Sequence, residues 1–171
     1  MRYDRWKGVN KMPALSAKSV LRWAMDIEEN GKAFYETVAE RVQDREAKVI
    51  FQDLAYQEER HYRTFRNMLD KVPEADVATD SAEYQRYLET ALDKALFEGP
   101  EKGLALAKEA RNEEEALEAA IAFEKDTLLF FYDLLEMVPR SQQEAISAVI
   151  EQEKSHVRQL AKVLADRPWV S

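Results

Sequence analysis

The two histidines of this 171-residue chain each follow a glutamate by three residues, as Glu58 with His61 and Glu153 with His156. Residues three apart in an α-helix lie on one face within a single turn, so both side chains can hold the same metal ion. Mixed carboxylate and imidazole ligation suits iron first and manganese second, whereas magnesium and calcium prefer oxygen alone. Zinc could occupy such a site in a crystal without being the working metal.

Two further glutamates, Glu28 and Glu124, interrupt the apolar stripes of two other amphipathic segments. A buried carboxylate is unfavourable unless it is neutralised or paired, and no basic residue lies on these stripes near the glutamates. Two divalent cations would balance four carboxylates while both imidazoles stay neutral. The predicted metal ligands are four glutamates and two histidines: Glu28, Glu58, His61, Glu124, Glu153 and His156.

The composition indicates one all-α domain spanning 1–171, with 1–18 as an N-terminal extension. Four glycines and five prolines leave few helix breakers, and strong helix formers dominate. The absence of cysteine excludes disulfides, zinc-thiolate sites and iron–sulfur clusters. A net charge of −8 argues against a nucleic-acid partner. The first twenty residues contain no continuous apolar run, so we expect no secretion signal, no membrane span and a cytoplasmic location.

Four amphipathic segments predict helices at about 19–43, 45–72, 113–137 and 142–166. The predicted core stripe of the first helix includes Gly31, that of the second includes Leu54 and Phe65, and that of the fourth includes Val163. The predicted core stripe of the third helix is Leu117, Ile121, Glu124, Leu128, Phe131, Leu135 and Val138. Each has a short polar residue suited to capping its first turn, namely Ser19, Asp44, Asn112 and Ser141. Two of these caps precede a glutamate by three residues, Glu115 and Glu144, the spacing at which cap and glutamate satisfy each other's backbone donors.

The lengths of the connections predict a four-helix bundle. Short links join the first helix to the second and the third to the fourth, so each pair forms an antiparallel hairpin. The connection at 73–112 is long enough to cross the bundle. It is expected to contain a helical stretch from about Ser81 to Phe97 and, after Gly99, Pro100 and Gly103, a second short helix.

The two hairpins resemble each other in sequence. The segment Ile27-Glu28 to Phe34-Tyr35 corresponds to Phe123-Glu124 to Phe130-Phe131, and Gln57-Glu58 to His61 corresponds to Gln152-Glu153 to His156. An internal duplication of this kind predicts two similar half-sites about a pseudo-twofold axis.

Three more polar or aromatic residues lie close to the predicted ligands. Gln57 and Gln152 precede the glutamates of the two Glu-x-x-His pairs. Each is either a hydrogen-bond partner of the histidine on the opposite hairpin or an ordinary surface glutamine. Tyr35 is predicted to face the core, either bonded to a ligand or simply packed with its hydroxyl satisfied.

The segments IEENGKAFYETVAE, FQDLAYQEERH, FEKDTLLFFYDLL and IEQEKSH resemble the ferritin-like di-iron proteins, specifically the rubrerythrin branch, over roughly residues 17–166. The resemblance implies two iron ions per chain that react with oxygen or hydrogen peroxide. It implies bridging roles for Glu58 and Glu153 and terminal roles for Glu28 and Glu124, with one histidine on each ion.

Two departures from the family pattern favour a plain ferroxidase or oxidase site. Rubrerythrins that reduce peroxide usually carry a cysteine-rich rubredoxin-like module, whereas this chain has no cysteine. They also carry a further glutamate where this sequence has Thr127. We therefore expect a cytoplasmic di-iron oxidoreductase that receives electrons from a separate protein and forms a homodimer. The alternatives are an iron-storage protein with ferroxidase loading and a metal-free helical interaction module.

Overall fold

The computed structural model describes residues 15–73, 77–79, 83, 86 and 101–166. Five helices lie wholly within these ranges, here α1 to α5 in chain order: Ala17–Arg41, Arg45–Leu69, Glu101–Glu109, Glu113–Met137 and Arg140–Asp166. Two short antiparallel strands, β1 (Leu15–Ser16) and β2 (Val77–Thr79), place Leu15 opposite Thr79. The predicted all-α class is confirmed, since this strand pair is only a local addition.

The first two helices begin at polar caps, one of which differs from the prediction. Ser16 caps α1 by accepting a hydrogen bond of 3.1 Å from the backbone N–H of Ser19. The predicted cap Ser19 is wrong, because Ser16 is also a serine and lies one turn earlier. Asp44 caps α2 as predicted, accepting from Ala47 N at 2.8 Å.

The caps of the last two helices are confirmed only in part. Asn112 Oδ1 accepts from Glu115 N at 2.8 Å, as predicted. The reciprocal bond is absent, because the Glu115 carboxylate accepts instead from the backbone N–H of Arg111 at 2.9 Å and pairs with its guanidinium. Ser141 is not a cap, since α5 already begins at Arg140.

The long helices form the two predicted hairpins. Helix α1 packs along α2 and α4 packs along α5, and each link is so short that the paired helices are antiparallel. Contacts of α1 with α4 and of α2 with α5 join the hairpins into a bundle. Among the described residues, no helix is both long enough and apolar enough to cross a membrane.

The crossover is anchored on α1 by its second short helix. In α3, the backbone N–H of Gly103 donates to Asn30 Oδ1 at 3.1 Å, and a side chain at Gly103 would collide with the backbone of Asn30. At the other end, Arg41 donates to the carbonyls of Ala107 and Ala110. The helical stretch predicted at 81–97 lies outside the described residues except for positions 83 and 86, which are helical.

Two clusters of buried apolar side chains occupy the two ends of the bundle. One contains Phe65 and Ile146, and the other contains Phe51 and Leu160. On α1 the first cluster runs up to Ile27 and the second starts at Phe34. Between the two clusters, the buried residues in the middle of each long helix are mainly polar.

The predicted stripe of α4 is confirmed only in part. Leu117, Phe131 and Val138 are buried, whereas Ile121, Leu128 and Leu135 are only partly buried against the apolar clusters. The helix also buries residues outside the predicted stripe: Ala120, Phe123, Thr127, Phe130 and Leu134. Val163, predicted as a core residue of α5, is also only partly buried. In α4, apolar residues occur on several faces, so the three- and four-residue periodicity could not select the correct one.

Candidate metal centre

The six residues predicted as metal ligands lie together in the polar layer between the two apolar clusters. Each has 2% or less of its surface exposed. They form two groups in which one donor atom per residue lies within 4.8 Å of the others. The first group contains Glu28, Glu58, His61 and Glu153, and the second contains Glu58, Glu124, Glu153 and His156. Glu58 and Glu153 are therefore common to both groups.

The donor atoms face one another across short distances. His61 Nδ1 lies 2.7 Å from Glu153 Oε1, and His156 Nδ1 lies 2.7 Å from Glu153 Oε2. The terminal glutamates are slightly further away, with Glu28 Oε2 at 3.5 Å from His61 Nδ1 and Glu124 Oε1 at 3.4 Å from His156 Nδ1.

Most of these buried atoms lack a hydrogen bond of proper geometry. The unsatisfied atoms include both carboxylate oxygens of Glu28, Glu58 and Glu153, and Nδ1 of both histidines. Unsatisfied buried polar atoms are rare in folded proteins, and a cluster of them needs a physical cause. Oxygen and nitrogen donors that converge on shared points fit a pair of cations, so the residues are compatible with the metal that the sequence predicts.

Two glutamines hold the imidazoles from outside. His61 Nε2 lies 2.8 Å from Gln152 Oε1, and His156 Nε2 lies 3.0 Å from Gln57 Oε1. An amide oxygen only accepts, so each Nε2 carries a hydrogen and donates it. Each Nδ1 is thereby directed towards the carboxylates. Both bonds cross between hairpins, which is the arrangement that the sequence left open for these glutamines.

Tyr35 contacts the cluster directly. Its ring is fully buried, stacks against Phe51 and packs edge-on against Phe123. Its hydroxyl donates a hydrogen bond to Glu124 Oε1. Both interpretations that the sequence offered for Tyr35 therefore apply, because its ring packs in the core and its hydroxyl bonds to a predicted ligand.

Gly31 also positions the cluster, although sequence reasoning assigned it no role beyond the core stripe. A Cβ atom at Gly31 would lie 2.6 Å from Glu58 Oε2 and 3.0 Å from Phe123 Cε1. Because Gly31 has no side chain, the Glu58 carboxylate can occupy the space beside α1. The signal was available, because a glycine in the middle of a long helix lowers its stability and calls for a packing reason.

Thr127 lies one turn after Glu124 on α4. It is fully buried, and its hydroxyl has no hydrogen-bond partner. A threonine adds a neutral donor and acceptor at this position, where a glutamate would add another negative charge. The cluster therefore keeps four carboxylates.

Burial controls the protonation of three glutamates when no metal is present. It raises the pKa of Glu28 and Glu58 well above the usual value, and the charges of neighbouring carboxylates raise it further. Burial, assisted by the charge of Glu153, raises the pKa of Glu124 to about 7. Removing a carboxylate from water favours its neutral form.

The other three members of the cluster are Glu153, His61 and His156, which stabilise one another's charged forms. Burial opposes ionisation of Glu153, but the imidazoles of His156 and His61 hold its pKa below the usual value. Burial also opposes the charging of the imidazoles. Glu153 nevertheless raises the pKa of His61 to about 9, and Glu124 and Glu153 raise the pKa of His156 to about 10. Protons supply the positive charge that this layer needs in the metal-free state.

A bundle of two hairpins with a glutamate on one helix of each and Glu-x-x-His on the other has the architecture of the ferritin-like proteins. The family model for rubrerythrin matches residues 19–164. The chain therefore belongs to the rubrerythrin family.

A similar solved structure comes from Thermotoga maritima and has been assigned as a ferritin-like diiron-carboxylate protein. The two chains are 29% identical, with a TM-score of 0.71, and the match covers 91% of this chain and 98% of the other. This likeness supports the predicted ferritin-like bundle over nearly the whole chain. None of the curated proteins matches the sequence significantly.

Proposed function

We propose that this protein is a non-haem di-iron oxidoreductase that reduces peroxide or oxygen. The observation that carries the proposal is the overlap of the two donor groups, which have Glu58 and Glu153 in common. Two residues that belong to both groups can bridge two ions, while every other member serves one ion. The Thermotoga maritima protein of similar structure, assigned as diiron-carboxylate, supports the same interpretation.

Each ion would have one imidazole and one terminal carboxylate of its own. Glu28 and His61 would hold one ion and Glu124 and His156 the other, while Glu58 and Glu153, which belong to both donor groups, would be available to both. Four carboxylates at −1 balance two ions at +2, so the occupied centre is electrically neutral with neutral imidazoles. The protons that the metal-free cluster holds would leave as the ions bind.

Two ferrous ions bound here would supply two electrons to the oxidant. The protein positions the ligands through Gln57, Gln152 and Gly31, and the apolar clusters on both sides limit water at the centre. The electrons for repeated turnover would be supplied by a separate protein. The oxidant, the electron donor and the homodimer stay predictions.

An iron-storage protein with ferroxidase loading is the second candidate. Thr127 favours it over a peroxidase, because the cluster has four carboxylates, which is the plainer set of ferroxidase and oxidase sites.

Anaerobic titration with ferrous iron, followed by oxygen or peroxide, tests these functions. The oxidoreductase binds two ions per chain, oxidises them rapidly and repeats the cycle when an electron-donor system is added. Storage predicts one oxidation and then accumulation of many ions per chain. Failure of the chain to bind iron or manganese would contradict both, and would leave the metal-free interaction module.

A further inference from the structure

A cavity of about 510 Å³ lies between α1 and α2 and reaches the metal centre from one side. Glu28 and Glu58, which are almost fully buried, line its inner end. The remaining lining residues, here called the mouth, lie nearer the surface: Glu29, Lys32, Ala33, Glu36, Glu59 and Tyr62. Both oxygens of Glu28 and of Glu58 lack hydrogen-bond partners. Unsatisfied ligand atoms thus line a cavity whose other walls reach the surface.

The mouth is predominantly acidic. Lys32 is its only basic residue, against three glutamates. Its ammonium lies 3.0 Å from Glu59 Oε2 and 3.9 Å from Glu36 Oε1. Glu59 also accepts from Arg63 Nε at 2.9 Å, so this carboxylate holds two cationic side chains at the edge of the cavity. Acidic clefts concentrate cations and speed their association.

The internal duplication provides a comparison within the same molecule. Aligning Glu28 with Glu124 and Glu58 with Glu153 gives the counterpart of each mouth residue on α4 and α5. In the order used above, the counterparts are Lys125, Leu128, Leu129, Tyr132, Lys154 and Val157. All three glutamates of the mouth are replaced, two of them by lysines. Lys154 Nζ lies 5.5 Å from the centroid of the Tyr132 ring, so cation and aromatic ring cover this face together.

We propose that divalent cations reach the centre through the cavity between α1 and α2, past the Lys32–Glu59 ion pair, and that the equivalent face of α4 and α5 does not admit them. This inference rests on the metal site of the proposed function. The two hairpins therefore contribute equally to holding the ions, while only the first provides the path. Lys32 occupies the position of an incoming cation and is displaced during uptake.

The rate of Co²⁺ uptake by metal-free protein, followed by stopped-flow absorption and by intrinsic fluorescence, tests the path. Glu59→Gln leaves Lys32 and Arg63 without their shared carboxylate, so uptake should slow about tenfold, and the loss should shrink at high salt. Lys32→Gln removes the competing cation and should accelerate uptake. Ion stoichiometry at equilibrium should be unchanged in both variants.

The second hairpin supplies matched controls. Lys154 and Glu151 form an ion pair of 2.6 Å on α5, and Lys154→Gln and Glu151→Gln make the same charge changes there. Their uptake rates should stay within about twofold of the unmodified protein, because screened surface charges far from the path contribute little. Ala33→Leu, which copies Leu129 at the equivalent place, should slow uptake at least about tenfold by filling the mouth.

The outcomes separate this inference from the proposed function. If Co²⁺ does not bind the unmodified protein at all, the proposed metal site itself fails. If two ions bind but the mouth variants show unchanged rates, or the α5 variants slow uptake as much as Glu59→Gln, the path is wrong. Lys32→Gln changes a half-exposed side chain, so it tests the path even if Ala33→Leu does not fold.

Discussion

His61 on α2 and Gln152 on α5 are joined by a hydrogen bond of 2.8 Å that links the two hairpins through the metal centre. Gln152→Leu removes the acceptor and leaves Nε2 buried without a partner. We expect metal affinity to fall about 10- to 100-fold, as is usual when the partner of a ligating histidine is lost. Competition with a chromophoric chelator measures the change.

Gln152→Glu provides the control for this prediction, because it keeps an acceptor oxygen at the same place. Its affinity should remain close to that of the unmodified protein. If both substitutions reduce affinity equally, packing at position 152 matters more than the hydrogen bond.

Gly31→Ala should disturb the metal centre while leaving the fold intact. The added methyl group would lie 2.6 Å from Glu58 Oε2, so this carboxylate must move away from its position between the two groups. We expect loss of at least one ion per chain, measured by elemental analysis after dialysis.

Gly103→Ala offers a contrast with the same chemical change. Its methyl group would meet the backbone of Asn30, which cannot move as a side chain can. The unfolding free energy should fall by roughly 1–3 kcal/mol, as for other overpacked sites, with ion stoichiometry retained. Loss of metal in this variant, or its retention in Gly31→Ala, would contradict our assignment of the two glycines.

The sequence was sufficient to predict that the six candidate ligands lie together. Polar residues on the apolar stripes of four helices face a common core, and burial there is unfavourable unless they share a site that balances their charge. Leu54, Glu58, His61 and Phe65 follow one another at three- and four-residue spacing, so a helix that buries Leu54 and Phe65 also buries Glu58 and His61. Periodicity was less informative on α4, where apolar residues on several faces gave little contrast. Leu128, predicted as a core residue, packs against the core but is only partly buried. Capping failed at Ser19, where two serines competed for one helix start.

Other features depend on contacts between helices that no local pattern reports. Gly31 matters only because the Glu58 side chain approaches it from α2. Glu115 was expected to complete a capping box, but the nearby Arg111 guanidinium and backbone N–H offered it a charged partner. The mouth of the cavity likewise depends on how α1 and α2 are placed relative to each other, since its residues come from both helices.

Glu28→Gln and Glu58→Ala should differ in the number of ions they lose. Glu28 belongs to one donor group and Glu58 to both. We expect Glu28→Gln to retain about one ion per chain, whereas Glu58→Ala should weaken both sites and abolish the rise in melting temperature that bound metal produces. Isothermal titration with Co²⁺ gives both stoichiometries.

Glu59→Gln serves as the neighbouring control, because Glu59 lies at the mouth rather than in either donor group. It should bind the full complement of ions at equilibrium. Equal loss in Glu28→Gln and Glu58→Ala would show that Glu58 does not bridge.

Metal-free protein should become less stable as the pH rises. The pKa of Glu124 is raised to about 7 in the folded chain, and those of His61 and His156 to about 9 and 10. A raised pKa means that the folded state binds protons more tightly than the unfolded state, so each contribution is complete below the unfolded pKa and lost as the pH passes the folded one. Glu153 acts oppositely, since its lowered pKa contributes stability that disappears only under acidic conditions.

Denaturation by urea in the presence of a chelator, from pH 5 to 10, should therefore show a steady decline in the free energy of unfolding through the range in which Glu124 and then the two histidines lose their protons. Bound metal should remove this decline, because the ions replace the protons as the positive charge of the cluster. An unchanged midpoint across that range in the metal-free protein would contradict the charge balance that we assign to the buried layer.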